Sequence, residues 1–167
     1  GDINVNDVVA WSVHKLTLNA QNNININATL NGSGTASLAL EYGQSAIAAA
    51  NTSTYNVNAP VNLPAGQNFS TKQGSDGVVT NYTVLTALGS ALSISTTDLQ
   101  GMNGNLAANY VLGSNINASL TSTWNAGAGF TPIGSLTTPF TGTFDGLGHS
   151  ISALFINLTT PDVGLFG

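Results

Sequence analysis

Residues 3–40 read INVNDVVAWSVHKLTLNAQNNININATLNGSGTASLAL, and the same pair of phrases occurs twice within them. Ile3-Asn4-Val5 returns 21 residues later as Ile24-Asn25-Ile26, and Leu16-Thr17-Leu18 returns 22 residues later as Leu38-Ala39-Leu40. Each phrase alternates apolar and polar positions, the period of a half-buried strand. A pair of strands with two turns, recurring at an interval near 20 residues, is the mark of a solenoid. One such circuit cannot bury its own apolar face. Stacking circuits at about 4.8 Å builds the core and satisfies the backbone. The expected fold is all-β: a right-handed parallel β-helix (β-solenoid) with an irregular insertion.

Outward from this stretch, alternation recurs in short pieces at Leu92/Ile94, Ile116/Ala118, Ile151/Ala153 and Leu154/Ile156. Asn-, Gly- and Ser-rich turns separate the strands, as at residues 19–23 and 31–34, where Asn and Gly accept left-handed backbone angles. Residues 44–50 alone have helical propensity, and they are too few to stand as a helix. The pattern divides one elongated domain into β-helix coils over 1–54, an insertion or irregular hairpin over 55–91, and coils again over 92–167. Pro60, Pro64, Gly66, Gly74 and Gly77 interrupt the alternation in the middle segment.

The 167 residues are 42% hydrophobic and only 5% charged, with 19 glycines and 21 asparagines. Disordered chains are charge-rich and poor in branched apolar residues, so this composition points to a folded chain. In a parallel stack, equivalent side chains sit directly above one another. A repeated charge would face its own kind, whereas Asn can form amide ladders. Lys15 and Lys72 are the only basic residues, which leaves no footprint for nucleic acid or anionic lipid. The longest apolar runs, such as 8–11 and 46–50, fall far short of a membrane span. The first residues, Gly1-Asp2-Ile3-Asn4, lack the charged and apolar regions of a leader and read as an internal stretch or a mature start. Zero cysteines removes disulfides, thiolate metal sites and cysteine nucleophiles together.

Three stretches resemble the filamentous-haemagglutinin family of large secreted adhesins and exoproteins. They are residues 1–30, residues 62–82 beginning Asn62-Leu63-Pro64-Ala65-Gly66, and residues 109–134 with Asn109-Tyr110-Val111-Leu112-Gly113 and Trp124-Asn125. The run Phe140-Thr141-Gly142-Thr143-Phe144-Asp145-Gly146-Leu147-Gly148-His149, closing on Val163-Gly164-Leu165-Phe166-Gly167, is similar to the glycine-rich GLUG repeat of bacterial surface proteins. The resemblance implies two-partner secretion through an outer-membrane partner and residence outside the cell or on the bacterial cell surface. It also implies a rod that meets host-cell or matrix glycans and proteins, or biofilm matrix. The secretion-signal domain of that family is not recognisable here.

For chemistry, the sharpest suspicion is Asp145 with His149, since β-helix lyases and hydrolases use carboxylates for acid–base work. The competing reading is a turn at Asp145-Gly146, and it is preferred because the seven acids are scattered from Asp2 to Asp162. No G-x-S-x-G elbow, phosphate loop or calcium nonapeptide is present, and two histidines, His14 and His149, cannot build a His-rich metal site. No catalytic residue, cofactor or metal is therefore expected. Trp11, Trp124, Phe130 and Tyr110 serve either as sugar platforms or as core plugs. Trp124 and Asn125, beside Gly127 and Gly129, are the candidate glycan contact. Seven sequons, at Asn27, Asn31, Asn51, Asn68, Asn81, Asn117 and Asn157, are candidate glycosylation sites.

The leading functional reading is a structural and adhesive rod segment. A carbohydrate-active β-helix enzyme is the alternative, and it requires two carboxylates converging in a groove. A subunit that self-assembles end to end through unpaired strand edges is the second alternative. An ice-binding solenoid ranks last, because Thr121-Ser122-Thr123 and Thr141-Gly142-Thr143 do not recur at the coil period.

Overall fold

The structure is a computed structural model that describes residues 1–159 and 163–167. Asp162 lies outside the described residues. Among the described residues the chain is all-β, with three short 3-10 turns and no α-helix. Strands β1 (Ile3–Val5), β2 (Val9–Trp11) and β3 (Lys15–Asn19) make a first circuit. Strands β4 (Ile24–Ile26), β5 (Leu30–Gly32) and β6 (Ser37–Tyr42) make a second, and β7 (Tyr55–Val57), β8 (Val61–Asn62) and β9 (Gly66–Gln73) a third. Each strand pairs in parallel with its equivalent one circuit on, giving the stacks β1-β4-β7, β2-β5-β8 and β3-β6-β9.

The register explains the sequence. Inward positions stack apolar on apolar: Ile3 on Ile24, Val5 on Ile26, Leu16 on Leu38 and Leu18 on Leu40. Ile24, Ile26, Leu30, Leu38, Leu40 and Val61 are fully buried in the resulting core. Truncating any one of the buried leucines would cost about 2–5 kcal/mol, the usual range for a large core cavity. The interval lengthens between the second and third circuits, where Ile24 pairs with Tyr55 and Leu38 with Phe69. Residues 43–54 are looped out there. Gly43 starts the loop at φ +67°, and the Asn51 amide closes it by donating to the Gly43 and Ile47 carbonyls at 2.8 and 3.3 Å.

Residues 55–91, read from the sequence as an insertion or irregular hairpin, carry the third regular circuit as well as an antiparallel hairpin. The departure comes later. After a turn, β10 (Thr80–Leu85) pairs antiparallel with β9, setting Tyr82 opposite Phe69 and Asn81 opposite Ser70. Strands β11 (Tyr110–Leu112) and β13 (Phe144–Asp145) then run parallel to β10. The six-stranded sheet, in the order β13-β11-β10-β9-β6-β3, thus contains two parallel triplets of opposite direction. The sequence reading resumed the same parallel β-helix after the insertion or irregular hairpin at 55–91. The reversal is the antiparallel β9–β10 pair, which Gly74 permits by turning at φ +80°, where a β-carbon would collide with the Ala48 backbone.

Reversal also puts the central strands between two cores. Tyr82, Val84 and Val111 face the first core, while Leu85, Tyr110 and Leu112 face a second with Met102, Ile116, Phe130 and Ile133. A strand covered on both faces is apolar continuously rather than alternately. That is the pattern of Val84-Leu85 and Tyr110-Val111-Leu112. Around this second core, β12 (Ile116–Asn117) pairs with β14 (Ile151–Ser152), and a bridge joins Ile133 to Phe166. Leu92 and Ile94, which alternate like a strand, lie in an exposed irregular segment. The 3-10 turn Gln100–Gly104 follows, and the buried Gln100 side chain bonds the backbone N–H and carbonyl of Thr131 at 3.0 and 2.9 Å.

The two halves are stitched together. The N–H of Val61 in β8 donates to the Leu147 carbonyl, and that of Leu63, just past the strand, to the Gly113 carbonyl, at 3.0 and 3.2 Å, so the edge β8 presents away from β5 is covered. The Tyr55 hydroxyl donates to the Asp145 carboxylate at 2.6 Å.

Candidate functional site

The lateral face of the first three circuits is an array of stacked amides. Asn56 donates to Asn25 and Asn25 to Asn4, both at 2.8 Å. One residue past these strands a second ladder runs Asn58 to Asn27 to Asn6, at 2.8 and 2.9 Å. Each amide passes one hydrogen bond along the stack and keeps a donor and a lone pair for solvent or ligand. A third ladder begins on the adjoining sheet, where Asn62 donates to Asn31 at 2.6 Å, and it stops there because the next position is Ala10.

Where that ladder stops lies an open groove of about 410 Å³, lined by Ala10, Trp11 and Ser12 of one circuit and Asn31, Gly32 and Ser33 of the next. Trp11 sits opposite Gly32 and packs against the first core. A β-carbon on Gly32 would stand 3.1 Å from the indole and 3.0 Å from Leu63, so glycine makes the room that the ring occupies. The indole Nε1–H of Trp11 is buried and has no acceptor among the described residues.

The residues singled out from the sequence are placed as follows. Trp124 is half-buried against the second core and stacks on Phe130, with ring centroids 6.4 Å apart and an interplanar angle of 20°. Asn125 adopts φ +53° and spends its amide on the Gly129 carbonyl at 2.7 Å. Asp145 and His149 are not brought together. Asp145 accepts from Tyr55 and, at 2.9 Å, from the Leu147 N–H of its own turn, while a ring nitrogen of His149 meets the Val61 carbonyl at 3.0 Å. Burial first, and then the hydrogen bond to Asp145, pushes the Tyr55 phenol far above its ordinary range. Among the described residues no cluster of three metal-ligating side chains occurs, and no helix is long and apolar enough to cross a membrane.

The sequons separate by what their amides already do. Asn51 and Asn68 donate to backbone carbonyls, and Asn27 donates within its ladder. Asn81, Asn117 and Asn157 are exposed, and among the described residues their amide nitrogens meet no acceptor. Asn31 combines an undonated amide nitrogen with a place in the Trp11 groove. The groove itself escaped sequence reasoning. Its signal was Ala10, standing where the amide register called for a third Asn.

Fold and surface together define an all-β chain of stacked parallel strands with a neutral, amide-lined flank. Over 133 residues, 73% of its length, the chain is 34% identical to Halomucin of Haloquadratum walsbyi (strain DSM 16790 / HBSQ001). It spans about 2% of the length of that curated relative. No protein-family model matches the chain, and no solved structure matches it.

Proposed function

We propose that this chain is a rigid, non-catalytic segment of a long extracellular or cell-surface protein. Its first half would be three coils of a parallel β-helix, right-handed by the rule that governs parallel crossovers. The observation that carries the reading is the amide ladder register. Asn over Asn, repeated on two lines, stabilises stacking without charge and leaves a uniform neutral flank. Likeness to a small part of a very long chain supports a role as one length of a larger structure. The resemblance to filamentous haemagglutinins and GLUG repeats adds attachment to host-cell or matrix glycans and proteins, and export through an outer-membrane partner. These finer assignments are part of the proposal.

The test is labelling of intact source cells with antibodies raised against residues 1–73, beside microscopy of the purified parent protein. Surface labelling and a rod of uniform width support the reading. Labelling only after lysis, or a compact parent particle, contradicts it.

A further inference from the structure

We infer that the Trp11 groove is a binding site for a neutral saccharide. The inference deepens the adhesive part of the function proposed above, and it rests on three observations that do not depend on one another. First, the ladder Asn62 to Asn31 ends at Ala10, so the Asn31 Nδ2 group has no acceptor among the described residues and borders the groove. Second, the Trp11 Nε1–H, a donor with no acceptor capacity of its own, is buried without a partner. Leaving such a group unpaired is costly, and native structures rarely do so without a functional reason. Third, the walls carry two hydroxyls, Ser12 and Ser33, and no charged side chain.

The complement of this lining follows from its chemistry. Two unpaired donors call for acceptor oxygens, the serine hydroxyls can donate or accept, and the indole offers a broad apolar surface. A sugar ring supplies all three partners: hydroxyl or carbonyl oxygens at its rim and an apolar C–H face for the ring. An anion would find no cation here, because Lys15 and Lys72 do not line the groove. Binding then includes a turn of the indole about its side-chain bonds that opens the buried Nε1–H to the ligand.

The test uses the whole chain, made in a host that does not glycosylate it. A Trp124→Phe background leaves Trp11 as the only indole, because the chain has two tryptophans. Titration with neutral di- and trisaccharides of glucose, galactose, mannose and N-acetylglucosamine is followed by Trp11 emission and by calorimetry. The expected result is a saturable shift with at least one sugar, weakened roughly 5- to 10-fold in Asn31→Ala, the loss of about one hydrogen bond.

The decisive variant is Ala10→Asn. It completes the ladder, gives Asn31 its acceptor and fills the groove mouth, so it should abolish binding while raising the denaturation midpoint. The inference is overturned if no sugar of the panel produces a saturable response, or if binding is unchanged in both variants. Either result leaves the rigid-segment reading standing, since that is judged by surface labelling and rod dimensions.

Discussion

Replacing the Asn4–Asn25–Asn56 ladder with aspartate tests why the chain is nearly devoid of charge. The triple variant Asn4→Asp, Asn25→Asp, Asn56→Asp deletes two hydrogen bonds, both 2.8 Å long, and substitutes three stacked carboxylates. Each exposed bond is worth about 1 kcal/mol. At a strand spacing of about 4.8 Å, two unit charges repel by about 0.9 kcal/mol in water and about 3.5 kcal/mol at the effective dielectric of a protein surface. With two adjacent pairs and physiological salt, the triple variant should lose roughly 3–6 kcal/mol at pH 7, much of the stability of an ordinary domain. The direction with pH is fixed. Mutual repulsion raises the folded-state pKa of these carboxyls above the unfolded value near 3.9, so the native state holds protons that the unfolded state releases. The repulsive part of the penalty is therefore absent below about pH 3 and grows as pH rises, while the loss of the two hydrogen bonds is present throughout. Urea denaturation followed by circular dichroism, comparing variant with parent at pH 3 and pH 7 in low and 1 M salt, reads this difference. If the variant matches the parent at pH 7, or its deficit is the same at pH 3, the electrostatic account of the composition is wrong.

Four further outcomes follow. Tyr55→Phe should cost about 1–3 kcal/mol by leaving Asp145 without its phenol donor. Because burial raises the Tyr55 pKa, the unfolded chain ionises first. Tyr55 should therefore make parent stability fall above about pH 10, by up to about 1.4 kcal/mol per pH unit on its own account. Tyr55→Phe should make the fall shallower in an alkaline denaturation series, leaving the part due to Tyr42 and Tyr110, whose pKa burial also raises. Val84→Ala and Leu85→Ala, neighbours that face opposite cores, should each destabilise by about 1–4 kcal/mol in urea titrations, whereas a one-faced strand would tolerate one of them. Glycopeptide mass spectrometry of the protein from its native host should find any modification at Asn81, Asn117 or Asn157, and none at Asn51 or Asn68, whose amides are held by backbone carbonyls.

Two of the three strands in each of the first two circuits were legible, because Ile3/Val5 and Leu16/Leu18 alternate and return at a nearly constant interval as Ile24/Ile26 and Leu38/Leu40; the middle strands Val9–Trp11 and Leu30–Gly32 do not alternate and were not read. The third circuit was hidden by the looped-out residues 43–54, which break the period although the register resumes at Tyr55. Pro60 and Pro64, read as interruptions, flank β8 and leave its pairing intact. The reversal at β9–β10 could not be read from periodicity, since strand direction has no signature in a single strand. Its trace was the loss of alternation at Val84-Leu85 and Tyr110-Val111-Leu112. Low charge and abundant Asn announced the ladders, but residue pairing was needed to show that Asn31 lacks one partner and that Trp11 stands beside it. Asp145 illustrates the converse. Its Asp-Gly turn was legible, and its bond to Tyr55, 90 residues away, was not.

Cysteine pairs test the strand register most directly, because the chain has no cysteine of its own. Asn25→Cys with Asn56→Cys places two thiols on facing parallel residues about 4.8 Å apart, and Ser70→Cys with Asn81→Cys does so across the antiparallel junction, both within disulfide reach. Asn25→Cys with Asn58→Cys, slipped by two residues, puts them about 8 Å apart and out of reach. Rapid oxidation of the first two pairs, with the slipped pair remaining reduced, is the expected result. Cross-linking of the slipped pair in preference to the facing one, or failure of the Ser70–Asn81 pair, would contradict the stacked register and its reversal.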